Sequence, residues 1–478
     1  MPAVPRLSAA LLPAALASLM TACSSLQPPA VQPDAGIAPH YPEQAATGAD
    51  PIAASQLSWE RYFTDPALQG LISQALANNR ELRVSELQLA IARAAYGIQG
   101  AEQWPVIAAQ AKEDRSRVPA DLNLTRRPLL GSQYQVGLGM ASWELDFWGR
   151  VRSLKEAALA RYLASEAASR AARLSLINQV AQAYFGLLEL DERLALAEAT
   201  LDSRNESLRI FRRREAMGAT SRLNLTQVET LQTQAQALVA QLQQARASQL
   251  NALTVLVGSA PRLPEHLPRL DEQATLANLA AGLPGALLSN RPDLLAAEQQ
   301  LKAAHAEIGA ARAAFFPRIA LTAAYGSASA ELDGLFKSGS EAWSFSPSLT
   351  LPLFDAGRRQ DNLDLATARR DQAVAQYERA VQLAFRDVAD ALAARRWLAE
   401  QLGTAERALA VQAERARLSQ LRYDSGAVAY LEVLDAQRDL LQAQQQLVQS
   451  RRALLASRAS LYAALGGGSA LTTPTSQP

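Results

Sequence analysis

Three ionisable side chains stand close together in residues 421–446, LRYDSGAVAYLEVLDAQRDLLQAQQQ: Glu432, Asp435 and Arg438. At three-residue spacing they share one face of any helix that forms there. Asp435 and Arg438 then make an i,i+3 ion pair contributing about 0.2 to 0.5 kcal/mol, and acidic groups in the first turn favour the positive end of the helix dipole. This is the chemistry of a charged helix start, not of a reaction. The three histidines, His40, His266 and His305, have no ligand spacing to one another or to the single cysteine, Cys23, and define no metal site. No Gly-rich loop cradles phosphate, and no Ser or Cys nucleophile has a recognisable frame. The sequence supports neither an enzyme nor a cofactor, so function has to come from shape.

Cys23 points to a modification instead. Residues 7–22, LSAALLPAALASLMTA, follow the lone charge of Arg6 and end in small residues directly before it. The stretch is too short and too early to be a spanning helix and reads as a secretory signal. Met20-Thr21-Ala22-Cys23 resembles a bacterial lipobox, with Met where Leu is usual. The thiol is then lipidated and becomes the mature N-terminus. Residues 1–22 are accordingly expected to be a lipoprotein signal peptide and 23–64 a lipid-anchored tether, rich in Pro, Ala and Gln to about Ala54 and needing no fold of its own.

The elements that carry the charged stretch occur twice. Residues 213–236, RREAMGATSRLNLTQVETLQTQAQ, are a first copy: setting Gly218 on Gly426 also sets Leu223 on Leu431, Leu225 on Val433 and Gly258 on Gly466, at one offset of 208. In both copies a helix breaks at Gly and a new apolar-periodic helix starts, which predicts a helical hairpin tip. Upstream, one helix is expected from Asp65 to Trp104-Pro105 and its counterpart from Asn290 to Phe316-Pro317.

After each Pro the hydrophobic period changes to two. Trp343, Phe345, Pro347, Leu349 and Leu351 alternate with hydroxyl residues; Tyr134, Val136, Leu138 and Met140 alternate with Gln and Gly. Weaker strands are expected over 106–114 and at Ile319, Leu321, Ala323 and Tyr325, with polar loops at 119–131 and 331–340. About ten residues is what a tilted strand needs to cross a bilayer. A half-buried sheet of a soluble protein also alternates, but here the polar face lacks charge and Trp143, Phe147, Trp148, Trp343 and Phe345 gather near the strand ends, as membrane girdles do. Four strands cannot close, and an open edge in lipid leaves backbone groups unpaired at several kcal/mol each. Spanning therefore demands a dimer at least, and a trimer would give twelve strands.

The strands lead back into helix at WELDFWGR and LPLFDAGR, then into the longest segments, from Arg150 to about Met217 and from Arg358 to about Ser425. Such runs reach about 100 Å at 1.5 Å per residue. In the last helix Val433, Leu440, Leu447, Leu454 and Leu461 recur every seven residues, the period of superhelical pairing. The expected order is a first repeat at 65–260, a linker at 261–284, a second repeat at 285–465 and a disordered tail at 466–478. Lys+Arg 47 against Asp+Glu 46 leaves a net charge of +1 and no basic face for nucleic acid.

The twofold repeat, the two strand-exit phrases and LRYDSGAVAYLEVLDAQR together resemble the outer membrane factor family of Gram-negative bacteria, in its lipoprotein branch. The resemblance covers nearly the whole mature chain. It implies an α+β membrane protein: a homotrimer forming a twelve-stranded β-barrel in the outer membrane, continuous with a periplasmic barrel of long helices. It implies the gated exit duct of a tripartite efflux system for small toxic compounds, with a periplasmic adaptor and an inner-membrane pump of the RND type as partners. By the motif YLEVLDAQR, Leu431 corresponds to the constricting leucine of the periplasmic aperture, Glu432 and Asp435 to its acidic residues, and Arg438 to the arginine that ties it shut. Gly218 and Gly426 turn the tips that meet the adaptor. Asn224 and Gln227 stand in the first repeat where Glu432 and Asp435 stand in the second, so only the second tip supplies an acidic ring. The alternatives are the exit duct of a type I protein secretion system and a periplasmic coiled-coil scaffold without a pore.

Overall fold

The computed structural model describes residues 26–29, 31, 33–42, 52–270, 274–276, 279–280 and 284–469. In chain order the elements are β1 (Ile52–Ala53), α1 (Trp59–Tyr62), α2 (Pro66–Asn78), α3 (Arg80–Ala101), β2 (Ile107–Val118), β3 (Leu129–Glu144), α4 (Arg150–Ala216), α5 (Arg222–Val257), β4 (Leu279–Ala280), α6 (Leu287–Asn290), α7 (Pro292–Ala313), β5 (Arg318–Ser329), β6 (Glu341–Thr350), α8 (Arg358–Asp424) and α9 (Tyr430–Ala464). α4 and α8 are each 67 residues long, and α5 and α9 are 36 and 35. Among the described residues no helix is long and apolar enough to cross a membrane. The chain forms two compact units, one drawn from 26–33, 89–164 and 297–377, the other from 34–88, 165–296 and 378–469.

The first unit holds an antiparallel sheet in the order β2-β3-β5-β6. Its register, with Ile107 opposite Met140, Met140 opposite Ala323 and Ala323 opposite Phe345, puts the apolar members of all four strands on one face. That face carries Leu138, Tyr325, Trp343, Phe345 and Leu349, each more than half exposed. The other face carries Gln, Gly, Ser, Thr and Ala, and, against the expectation of a polar face without charge, Lys112 and Asp114 of β2, paired at 2.6 Å. Gly137 and Gly326 oppose each other across β3 and β5, where a Cβ on either would lie 2.4 or 2.2 Å from a carbonyl oxygen of the facing strand. The strands are longer than the alternation predicts, 12, 16, 12 and 10 residues, because the ladder continues beyond the apolar part into Arg, Ser and Leu of the hairpin.

The exit phrase WELDFWGR builds a polar corner under the sheet. The Glu144 carboxylate takes a bidentate pair from Arg150, both contacts at 2.9 Å, and Arg318 Nε at 2.8 Å. Trp148 stacks on Phe316 at 4.7 Å and donates its indole N–H to the Pro317 carbonyl at 2.8 Å. Trp148, one of the aromatics gathered near the strand ends, thus clasps the two strand–helix junctions together.

In the second unit the core gathers Leu57, Tyr62, Phe63, Leu68, Leu71 and Ile72 with Tyr184, Phe185, Leu253 and Tyr462. Tyr62 and Tyr462 stack at 4.4 Å, and their hydroxyls donate to the carbonyls of Arg458 and Leu57 at 2.8 Å each. Burial raises both phenol pKa values.

Three expectations are corrected. The helix expected from Asp65 to Trp104 is two, because the buried Asn79 breaks it: its side chain accepts from Leu82 N–H at 2.8 Å and donates to Leu256 O at 2.8 Å. The Asn side chain offers its backbone a cap in place of continuous helix. The part of the tether expected to need no fold, from Ser24 to about Ala54, is in part packed: Tyr41 is buried against Phe385 at 5.1 Å, and β1 pairs in parallel with β4. The tail expected to be disordered from Gly466 begins packed, since Gly468 N–H reaches Ala54 O at 2.9 Å and Gly466 lies against the Asn290 carbonyl. Cys23, the signal peptide and residues 470–478 lie outside the described residues.

Candidate functional site

Both tips turn in the same way. At the first, Gly218 (φ 68°) donates to Glu215 O at 2.9 Å and Ala219 to Arg214 O at 2.7 Å. At the second, Gly426 (φ 75°) donates to Tyr423 O at 2.9 Å and Ala427 to Arg422 O at 2.9 Å. This pair of bonds is the Schellman closure, which needs a left-handed residue that Gly adopts without strain. The helices that leave the turns differ. Ser221 caps α5 by accepting from Asn224 N–H at 3.2 Å, whereas Ala429 stands at the same place before α9 and offers no side-chain cap.

The residues singled out in the sequence fall on the first three turns of α9. Leu431 is 44% exposed. Glu432 pairs with Arg422 of α8 at 3.0 Å. Asp435 pairs with Arg438 at 3.2 Å, and Arg438 also reaches Asp439 at 3.2 Å. Within one chain, therefore, Arg438 ties carboxylates of its own helix rather than one hairpin to the other. The carboxylates of the expected ring are each paired with a cation.

The ties between the hairpins come from residues that the sequence did not single out. Tyr430, the first residue of α9, packs on Phe211 at 4.8 Å and on Tyr423 at 4.9 Å, and its hydroxyl lies 2.7 Å from Ser207 Oγ. Arg214 donates to the Tyr423 hydroxyl at 2.6 Å. Arg204, buried in α4, donates to Gln437 Oε1 at 2.8 Å. Burial lowers the pKa of its guanidinium. Beneath them Leu434 completes an apolar cluster with Leu208, Phe211, Leu225 and Val228. Arg415 of α8 holds Asp439 at 2.6 Å, and this hydrogen bond, with that of Arg438, keeps the Asp439 carboxyl below the usual carboxylate range. The repeat itself held a signal for the aromatic tie. At the 208 offset Tyr423 and Tyr430 stand where the first copy has Glu215 and Arg222, so the second tip exchanges a charge pair for an aromatic pair.

A sheet with an exposed apolar face leading into long paired helices is the architecture of an outer membrane channel protein. The chain belongs to the outer membrane efflux protein family, whose model matches residues 71–259 and 283–467. It is similar to the solvent efflux pump outer membrane protein SrpC of Pseudomonas putida, 45% identical over 459 residues, with 95% of this chain and 97% of that protein covered. It is 43% identical to the outer membrane protein OprJ of Pseudomonas aeruginosa over 95% of both chains. The solved structure of the open state of the Neisseria gonorrhoeae MtrE outer membrane channel is similar at a TM-score of 0.85 and 40% identity, covering 93% of this chain and 98% of that one.

Proposed function

We propose that this protein is the exit duct of a tripartite efflux system, anchored by a lipid on Cys23 and assembled as a trimer. The observation that carries the reading is the sheet: four strands, one exposed apolar face, and a free edge at β2 and at β6. In hydrocarbon those edges find partners only on further copies, and three copies close twelve strands. The matching lengths of α4 and α8 support two structural repeats per chain, which would line a tunnel with twelve long helices. Small toxic compounds are the proposed cargo, since SrpC is named for solvent efflux. A wide duct conducts them passively, and energy comes from an inner-membrane pump of the RND type through a periplasmic adaptor that docks at the tips turned by Gly218 and Gly426.

The second tip is the proposed gate. A threefold axis brings Leu431, Glu432 and Asp435 close to their own copies, and an acidic ring at a constriction favours cations. The intrachain pairing of Asp435 with Arg438 holds that ring partly neutralised. Adaptor binding opens the tips if it favours the open state, as any partner that prefers one of two states must. Asp435→Ala and Arg438→Ala are expected to raise single-channel conductance in a planar bilayer. Unchanged conductance in both would sink the gate assignment, and purified protein that leaves liposomes impermeable would sink the duct.

A further inference from the structure

The apolar face of the sheet does not end at the aromatic residues. Along β2 it runs Ile107, Ala109, Ala111, and the same-face positions that follow are Glu113, Arg115 and Arg117, opposite Tyr134, Ser132 and Leu130. Glu113, the first charge on this face, stands directly across the ladder from Tyr134 and marks where the face changes from hydrocarbon to water. Same-face residues are about 7 Å apart along a strand. Arg115 and Arg117 therefore lie about 7 and 13 Å beyond Tyr134, or about 5 to 10 Å in height for a strand tilted by about 40°. The headgroup layer on each side of a bilayer is about 5 to 7 Å deep. The Arg115 guanidinium is thus held in that layer and that of Arg117 just beyond its outer edge, both on the lipid-facing side of the strand.

The loop that follows adds Arg126 and Arg127. All four arginines are exposed, and among the described residues none has a carboxylate within ion-pair distance. Of the acids beside them, Asp114 pairs with Lys112 at 2.6 Å and Glu113 stands across from Tyr134; Asp121 is the remaining acid of this loop. Leu130, opposite Arg117, and the loop leucines Leu122 and Leu124 are exposed as well. The other hairpin is different: its end carries Glu331 and Glu341, and Asp333 is paired with Lys337 at 2.8 Å.

From this placement we infer that the first hairpin is a docking surface for phosphorylated lipid headgroups of the outer leaflet, with Arg115 and Arg117 gripping phosphate. A guanidinium fork matches two phosphate oxygens at once, and at headgroup height on the lipid-facing side of the strand the phosphate within reach is one attached to a lipid. The inference rests on the proposal that the strands span the outer membrane.

The test uses full-length protein in detergent, titrated with a bis-phosphorylated lipid A and with its dephosphorylated form, with retention read by native mass spectrometry. Each basic residue at an anionic surface contributes about fivefold. Wild type is expected to retain the phosphorylated lipid about 25-fold better than R115Q/R117Q, with R126Q/R127Q and Arg115→Lys/Arg117→Lys both intermediate, the Lys pair keeping charge without the fork. The dephosphorylated lipid should not distinguish the proteins. Equal retention of the phosphorylated lipid by wild type and both Gln variants overturns the inference. So does its displacement by millimolar inorganic phosphate, which would mark a site for the free anion. Planar-bilayer conductance of wild type separates the two readings. A conducting wild type that holds both lipids alike overturns the headgroup surface alone, whereas a wild type that makes no channel overturns the spanning proposal beneath it.

Discussion

Replacing Tyr430 by Phe isolates one bond between the hairpins. Ser207 Oγ lies 3.0 Å from the Ser203 carbonyl and 2.7 Å from the Tyr430 hydroxyl. Its single proton goes to the carbonyl, so Tyr430 O–H donates to Ser207. Tyr430→Phe removes that donor and keeps the ring contacts with Phe211 and Tyr423. A hydrogen bond of this kind contributes about 1 kcal/mol net, and Ser207 keeps its own donor bond, so no larger penalty is added. If the bond exists only while the second tip rests on α4, its loss shifts the resting equilibrium toward open by about fivefold per protomer. Tyr430→Ala also removes the aromatic pair with Phe211 of α4, about 0.5 to 1.5 kcal/mol beyond its buried area, so the expected shift exceeds that of the Phe variant by about two- to tenfold. The assay is open probability in a planar bilayer at fixed salt. Wild-type open probability in both variants would refute the reasoning that contacts between α4 and α9 hold the tip.

Two further predictions bear on how the tips and helix ends are held. Ala429→Ser supplies α9 with the cap that Ser221 gives α5; it should stabilise the start of α9 by about 1 kcal/mol and lower open probability, read by the same assay. Gly258→Ala combines φ 75° with a Cβ 2.3 Å from the Asn78 carbonyl, whereas Gly218→Ala has φ 68° and open space. The left-handed backbone costs about 1 to 2 kcal/mol in either case. Thermal unfolding should therefore show the Gly258 variant as the less stable of the two.

The parts legible in the sequence were those written as local period or punctuation. Alternation at 343–351 gave β6, Pro105 and Pro317 marked the change from helix to strand, and Gly218 and Gly426 gave the turns. The break at Asn79 was hidden because the flanking apolar pattern continues through it; the break is made by two side-chain bonds, one of them to Leu256 in another helix. The ion pairs of Glu432 with Arg422 and of Asp439 with Arg415 join α8 to α9 across the turn. They depend on which faces meet, which period alone leaves open. Tyr430 was hidden for the same reason, since its partners Ser207 and Phe211 lie more than two hundred residues upstream. The chain's early packing at Tyr41 escaped notice because one aromatic in a Pro-rich stretch carries no period at all.

The equal count of 67 residues in α4 and α8 bears on how such a gene can drift. One inserted residue turns everything beyond it by about 100° and advances it by about 1.5 Å, which would carry every buried position of the far half off its face. Seven inserted residues restore the face to within about 20°. Point changes are tolerated, as Ala429 against Ser221 and Glu432 against Asn224 attest, but a frame-keeping codon gain in one helix is not. In descendants of this gene the two long helices should diverge freely in residue type while keeping one shared length, or change it by sevens.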